Sequence, residues 1–261
     1  MDRVLISIIL ISLLISIAGN LAVFRKASFL IAGVAHSALA GVALSLLLSS
    51  LSLNVDYFFL ASAFAIAFAI LASLFSKFTD IDTGIAISFA LSMALAVIFL
   101  SAVRSMSAKI WTFLFGELML VTTEDLAYLT FSALLVIFLF GMLYEKFIFF
   151  LFDPESAQAS GINIKLLDII LVAIIAVSVV AVIRSVGAIL AYSIFVAPSA
   201  ISKEVSKSVK QSFIIAFGIA LLSLLLGISI SMLIPISASA LSAFIASALY
   251  LATYYIKNSL F

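Results

Sequence analysis

The sequence has no cysteine and only one histidine. The missing thiols exclude a disulfide framework, a thiolate metal site and a cysteine nucleophile. With a single imidazole, a self-contained zinc catalytic site of the common kinds cannot be built. Charge is scarce as well: Asp, Glu, Lys and Arg make up 10% of the 261 residues, against about 25% in an average soluble domain. The net charge of +1 speaks against a nucleic-acid partner, which needs a basic patch. No glycine precedes a lysine, so there is no phosphate-binding Walker loop, and neither a Gly-x-Ser-x-Gly elbow nor a His-Glu-x-x-His pair occurs. Energy for any pumping must therefore come from an ion gradient or from another subunit. Three prolines and ten glycines leave room for long uninterrupted helices.

What remains is apolar. Hydrophobic residues make up 66% of the chain, and the mean hydropathy is +1.43. A soluble globule of this composition could not cover its own surface, and a disordered chain is excluded by the same figures. The expected class is all-α, a polytopic membrane protein with a single transmembrane domain over residues 1–261. A helix needs roughly 20 apolar residues to cross a bilayer. Nine stretches qualify: 4–22, 29–50, 57–76, 83–103, 126–144, 167–183, 186–202, 212–234 and 237–256. The longest connections, 104–125 and 145–166, are too short for a soluble domain. Pro198 is expected to kink the seventh span. The first span reads as a membrane helix rather than a cleaved signal peptide, because its apolar run exceeds the 7–15 residues of a signal core.

Loop charges set the expected orientation. With the N-terminus outside, Arg25, Lys26, Lys77, Lys146, Lys165, Lys203, Lys207, Lys210 and Lys257 face inward, nine of the thirteen Lys and Arg. Arg3, Arg104, Lys109 and Arg184 face outward. The C-terminus is then cytoplasmic and the location is the cell membrane.

Few residues carry chemistry. His36 lies within the second span, where an ionisable group is a functional candidate by default, and imidazole suits divalent transition metals. A hydrogen bond to a neighbouring helix is the competing role. Its neighbours on the same helix face, Ala32, Gly33 and Ala40, are small. Gly33, Ser37 and Gly41 recur every four residues on the adjacent face, a pattern that suits close helix packing. Asp80 and Asp82 precede the fourth span and suit helix capping. Glu117 lies in the apolar segment Trp111–Val121, too short to span, re-entrant or interfacial, where a carboxylate could line an entrance. Asp153, Pro154, Glu155, Ser156, Ala157 and Gly161 outline a short helix on the inner side, with Asp153 as N-cap, Pro154 at the first position and Gly161 at the C-terminal stop. A gradient-driven transporter or channel would need several membrane-buried ionisable groups. The spans hold His36 and almost no other charge, and no inverted repeat is evident. A membrane assembly subunit without a substrate path is the third possibility.

Five segments in order resemble the zinc/manganese/iron type of ABC-transporter membrane subunit. They are Phe24-Arg25-Lys26-Ala27-Ser28-Phe29 leading into Val34-Ala35-His36-Ser37-Ala38-Leu39-Ala40-Gly41-Val42-Ala43; Ile81-Asp82-Thr83-Gly84-Ile85; Phe113-Leu114-Phe115-Gly116-Glu117-Leu118 followed by Val121-Thr122-Thr123-Glu124-Asp125-Leu126; Pro154 to Gly161; and Val186-Gly187-Ala188-Ile189-Leu190 with Val196-Ala197-Pro198-Ser199-Ala200. The resemblance implies the type II-like metal class of ABC importer permease. It further implies a homodimer in the lipid bilayer carrying two cytoplasmic ATP-binding subunits, which dock on segment 153–161, and a metal-binding protein that delivers the ion from outside. The chain itself would hold no cofactor and hydrolyse no ATP; its cargo would be a divalent transition metal. His36 and Glu117 are the candidate metal contacts. The sequence departs from relatives at Ala32, where many carry an acid one turn before the histidine. It departs again at Leu233-Ile234-Pro235, where an aspartate is common, and at Phe89, where some have a second histidine. Gly116-Glu117 and Thr-Thr-Glu-Asp-Leu lean toward the zinc-type members.

Overall fold

The chain opens on an apolar helix whose hydrogen-bond register slips once. Helix α1 (Asp2–Leu14) passes through a π-helical turn, Ile15–Gly19, into α2 (Asn20–Phe24), so the three pieces form one span. In this computed structural model, residues 2–53, 55–76, 78–103 and 108–259 are described. Lys77 and Arg104, two of the charges used to orient the chain, and the C-terminal Phe261 lie outside them. The spans continue as α3 (Phe29–Ser50), α4 (Tyr57–Phe75) and α5 (Ile81–Ala102). Then come the short α6 (Ala108–Phe115), the long α7 (Thr123–Phe152) and the short α8 (Pro154–Ala159). Helices α9 (Ile164–Val186), α10 (Ala188–Val205), α11 (Val209–Ser231) and α12 (Ala238–Ser259) complete the bundle.

Among the described residues nine helices are long and apolar enough to cross a membrane, and each expected stretch falls on one of them. The boundaries differ for physical reasons. Helix α7 has thirty residues, far beyond 126–144. The Thr122–Asp125 capping box starts it early, and at its far end the chain stays helical past exposed Glu145 and Lys146 to the buried Phe147 and beyond. At 1.5 Å per residue it is about 45 Å long, more than the hydrocarbon core is thick. Helix α9 runs to Val186, so the break before the seventh span is Gly187 alone. Pro198 sits inside α10. Asp80 caps α5 as expected, accepting from the Thr83 amide at 2.8 Å, and those bonds hold its carboxyl below the usual carboxylate range.

The first span, α3 and α9 are the most enclosed, and α5, α7 and α12 the least. The outer helices turn Val97, Phe131, Phe138 and Met142 outward, a surface suited to lipid. Lipid is as apolar as leucine, so helix association rests on close packing and hydrogen bonds. Close packing is visible where a Cβ on Gly41 would lie 2.3 Å from the Leu60 carbonyl oxygen of α4, and one on Gly33 would lie 2.2 Å from the Phe68 ring. Ser37 between them is buried and donates to the Val34 carbonyl. Hydrogen bonding centres on fully buried Asn20. Its Oδ1 accepts from Ser202 at 3.0 Å and from Ser212 at 2.9 Å, and its Nδ2 donates to the Ser16 carbonyl at 2.8 Å. The node ties the first span to α10 and α11.

Ion pairs mark the ends of the bundle. Arg25 pairs with Asp168 at the end that carries α8, and Lys257 pairs with Glu204. Ser202, two residues before Glu204, bonds Asn20, five residues before Arg25. The last residues of α12 therefore share the α8 end with Arg25, whereas Asp2 lies a full span away. The described chain begins at one end of the bundle and finishes at the other, as an odd number of crossings requires.

Candidate functional site

His36 sits on the innermost helix of the bundle with its ring half-buried. Its Nδ1 lies 2.9 Å from the Ala32 carbonyl oxygen one turn back. A neutral ring so placed donates Nδ1–H to that carbonyl and keeps the Nε2 lone pair for another partner. The ring meets Phe89 of α5 edge-on at 5.4 Å. Phe89 in turn meets Phe29, and Phe29 meets Tyr192 of α10. This aromatic row lies across three helices and leaves Phe29 and Tyr192 partly exposed. No hydrogen bond or ion pair joins His36 to Glu117, and no group of three or more His, Cys, Asp or Glu able to hold a metal occurs among the described residues. Among the described residues of one chain, His36 therefore has no partner set for a metal. At Ala32 the histidine meets a backbone carbonyl.

Glu117 lies at the other end of the bundle from α8. Helix α6 is about 12 Å long, too short to span. It ends at Gly116 (φ +55°), which rests against Gly187 (φ +94°), the break between α9 and α10. Backbone meets backbone there, and a Cβ on either glycine would fall within 2.3 Å of the other strand's main chain. Past this crossing the Leu118 amide donates to Ser239 of α12 at 3.3 Å. The Oε1 atom of Glu117 is enclosed and makes no hydrogen bond among the described residues.

The Thr-Thr-Glu-Asp-Leu stretch has its own structural use. Thr122 and Asp125 form a reciprocal capping box, and Asp125 also pairs with Arg184 at the end of α9. The Arg184 guanidinium stands 4.8 Å from the Phe58 ring centroid, 5.0 Å from that of Tyr128 and 5.5 Å from that of Tyr57.

At the opposite end, α8 rests on the bundle through one residue and turns the rest of its surface outward. Of its six residues only Ala157 is buried; Glu155, Ser156, Gln158 and Ala159 are exposed. Asp153 caps it, accepting from the Ser156 amide at 3.1 Å, and bonds from Ser156 hold the Asp153 carboxyl below the usual range. The cap is therefore charged at neutral pH and is lost only as pH falls through that lowered value. Gly161 (φ +86°) follows in the left-handed region that favours glycine, with open space around it. Just inside, Arg25 grips Asp168 with two hydrogen bonds, Nε–Oδ1 at 2.8 Å and Nη2–Oδ2 at 2.9 Å, and Ser73 donates to Oδ2. Sequence reasoning missed Asp168. The signal that could have found it is an aspartate within the apolar stretch 167–183.

Comparison with known proteins agrees with this architecture. The ABC 3 transport family model matches residues 1–257. The chain is 25% identical over 252 residues to the manganese transport system membrane protein MntC of Listeria monocytogenes, covering 96% of this chain and 88% of that one. It is 29% identical over 228 residues to the high-affinity zinc uptake system membrane protein ZnuB of Buchnera aphidicola, covering 85% and 84%. Among solved structures, PsaBC from Streptococcus pneumoniae in complex with Fab superposes with a TM-score of 0.83 at 23% identity, covering 97% of this chain and 90% of that one. The chain belongs to the ABC 3 transport family.

Proposed function

We propose that this chain is the membrane-spanning permease subunit of an ATP-driven importer of a divalent transition metal ion. The family match over nearly the whole chain, with relatives named for manganese and for zinc, carries the reading. ATP would be hydrolysed on separate cytoplasmic subunits, since the chain has no Walker loop. The exposed helix at 154–159 would be their docking element, and with it facing inward the N-terminus would lie outside and the C-terminus inside the cell membrane. A metal-binding protein outside would deliver the ion at the Arg184–Glu117 end. Two copies of the chain would face each other across the path, so that a second His36 could supply the ligand missing from one chain. A lone or paired imidazole suits transport, because the ion must also leave. Zinc and manganese both remain candidate cargoes.

The gradient-driven alternative needs a relay of unpaired buried charges. Among the described residues the enclosed charges are the pairs Arg25–Asp168 and Arg184–Asp125, one at each end of the bundle, and the single carboxylate of Glu117, too few for such a relay.

Two variants test the assignment of parts. His36→Ala is expected to cut metal uptake roughly tenfold or more, in line with losing a metal contact, while the assembled complex persists on size exclusion. Wild-type uptake would reassign His36 to packing. Glu155→Leu is expected to weaken ATPase docking and lower metal-stimulated ATP hydrolysis, and Gly161→Val adds backbone strain at φ +86° to the same effect. Unchanged metal-stimulated hydrolysis in both would remove α8 from the docking surface.

A further inference from the structure

The Arg25–Asp168–Ser73 cluster has a position that its stabilising role alone does not explain. Asp168 lies on the first turns of α9, immediately after α8. The link between α8 and α9 contains no slack. The Ile162 amide bonds back to the Ala157 carbonyl at 3.2 Å, and Asn163 caps α9 at the Leu166 amide at 3.1 Å. A displacement of α8 therefore carries the start of α9 with it.

Arg25 is equally well tied to α3. The turn after α2 closes with the Lys26 amide on the Val23 carbonyl at 3.1 Å and the Ala27 amide on the Ala22 carbonyl at 2.9 Å. Lys26 takes the left-handed conformation (φ +58°) that this closure demands. Helix α3 starts three residues later, and His36 follows two turns along it, about 10 Å. Asp168 thus joins three elements: the turn that launches α3, Ser73 of α4, and the first turns of α9. The Arg25 and Asp168 side chains are 9% and 13% exposed, so water competes little for the fork, whose planar geometry fixes direction as well as distance. A cleft of about 550 Å³ lies between this cluster and α8, with Pro154, Phe152, Lys165 and Lys26 in its walls.

We propose that the Arg25–Asp168–Ser73 cluster is the joint through which a displacement of α8 reaches α3 and His36, with Arg25 and Asp168 as positioning residues for transport. The assignment rests on the permease reading and names the linkage within it.

The test uses the permease co-assembled with its ATPase in liposomes, with uptake of zinc or manganese and ATP hydrolysis measured on the same preparation. Arg25→Lys keeps the charge and loses the fork; Asp168→Asn keeps the shape and loses the charge. Both are expected to retain the assembled complex and hydrolysis within about twofold of wild type, while metal moved per ATP falls about tenfold, within the usual range of coupling between two sites. Ser73→Ala, which leaves the pair in place, should lower the ratio less. Exchanging the charges, Arg25→Asp with Asp168→Arg, should recover part of it. An unchanged ratio in Arg25→Lys and Asp168→Asn overturns the assignment, as does a loss of assembled complex in both, which would mark a purely structural bridge. A wild-type complex that moves no metal on ATP overturns the permease reading itself, and the joint with it.

Discussion

Gly187→Ala is expected to cost the protein several kcal/mol of stability. Gly187 holds φ +94° and ψ 150°, a region essentially reserved for glycine and worth about 1–3 kcal/mol of strain to any other residue. The added Cβ would also lie 2.3 Å from the Phe115 carbonyl carbon and 2.5 Å from its oxygen. Those are main-chain atoms and cannot rotate away, so the junction of α6 with the α9–α10 break must open. The two terms together reach several kcal/mol, against a typical total of about 5–15 kcal/mol. For a chain of this size that is a fall in Tm of about 10 °C or more, readable by thermal size exclusion of the detergent-solubilised protein. Gly161→Ala is the control: its φ is also positive, but nothing lies within 4 Å of the added atom, so only the conformational cost of about 1 kcal/mol applies. Equal melting of Gly187→Ala and wild type would contradict the crossing.

Arg184→Leu is the second large effect. Arg184 and Asp125 have side chains 12% exposed, and three aromatic rings surround the guanidinium. Removing one partner of such an enclosed pair costs about 3–5 kcal/mol, because the other charge is left uncompensated. Lysine cannot restore it, since the stacking on Phe58, Tyr57 and Tyr128 depends on a planar cation. The double variant Arg184→Leu/Asp125→Leu should be more stable than the single one, although it forfeits the Asp125 half of the capping box. A single variant that costs less than about 1 kcal/mol would mean that the pair behaves as an exposed surface bridge.

The nine apolar helices of the described residues were legible because hydropathy measures the cost of leaving each segment in lipid, and the short helix at 154–159 because Asp153, Pro154 and Gly161 are local stop and start signals. The contacts between spans were not legible. Arg25 meets Asp168 across 143 positions, and Asn20 meets Ser202 across 182. In a bilayer every apolar face is equally content, so the pattern of apolar residues does not say which faces meet. Helix α6 shows the same limit. The sequence marked Trp111–Val121 as a short apolar segment, but only the paired positive φ values of Gly116 and Gly187 reveal where it is anchored. At His36 the sequence located the imidazole, while its bond to the Ala32 carbonyl and its edge contact with Phe89 emerge only from the packing of α3 against α5.

The most direct test is ATP-dependent metal uptake. The chain is purified in mild detergent from its own membranes with whatever ATPase accompanies it, reconstituted into liposomes, and supplied with labelled zinc or manganese. The account predicts a co-purifying ATP-binding subunit and metal accumulation that requires ATP and falls in His36→Ala. A chain that purifies without an ATPase, or that accumulates metal on an ion gradient with no ATP present, would contradict it.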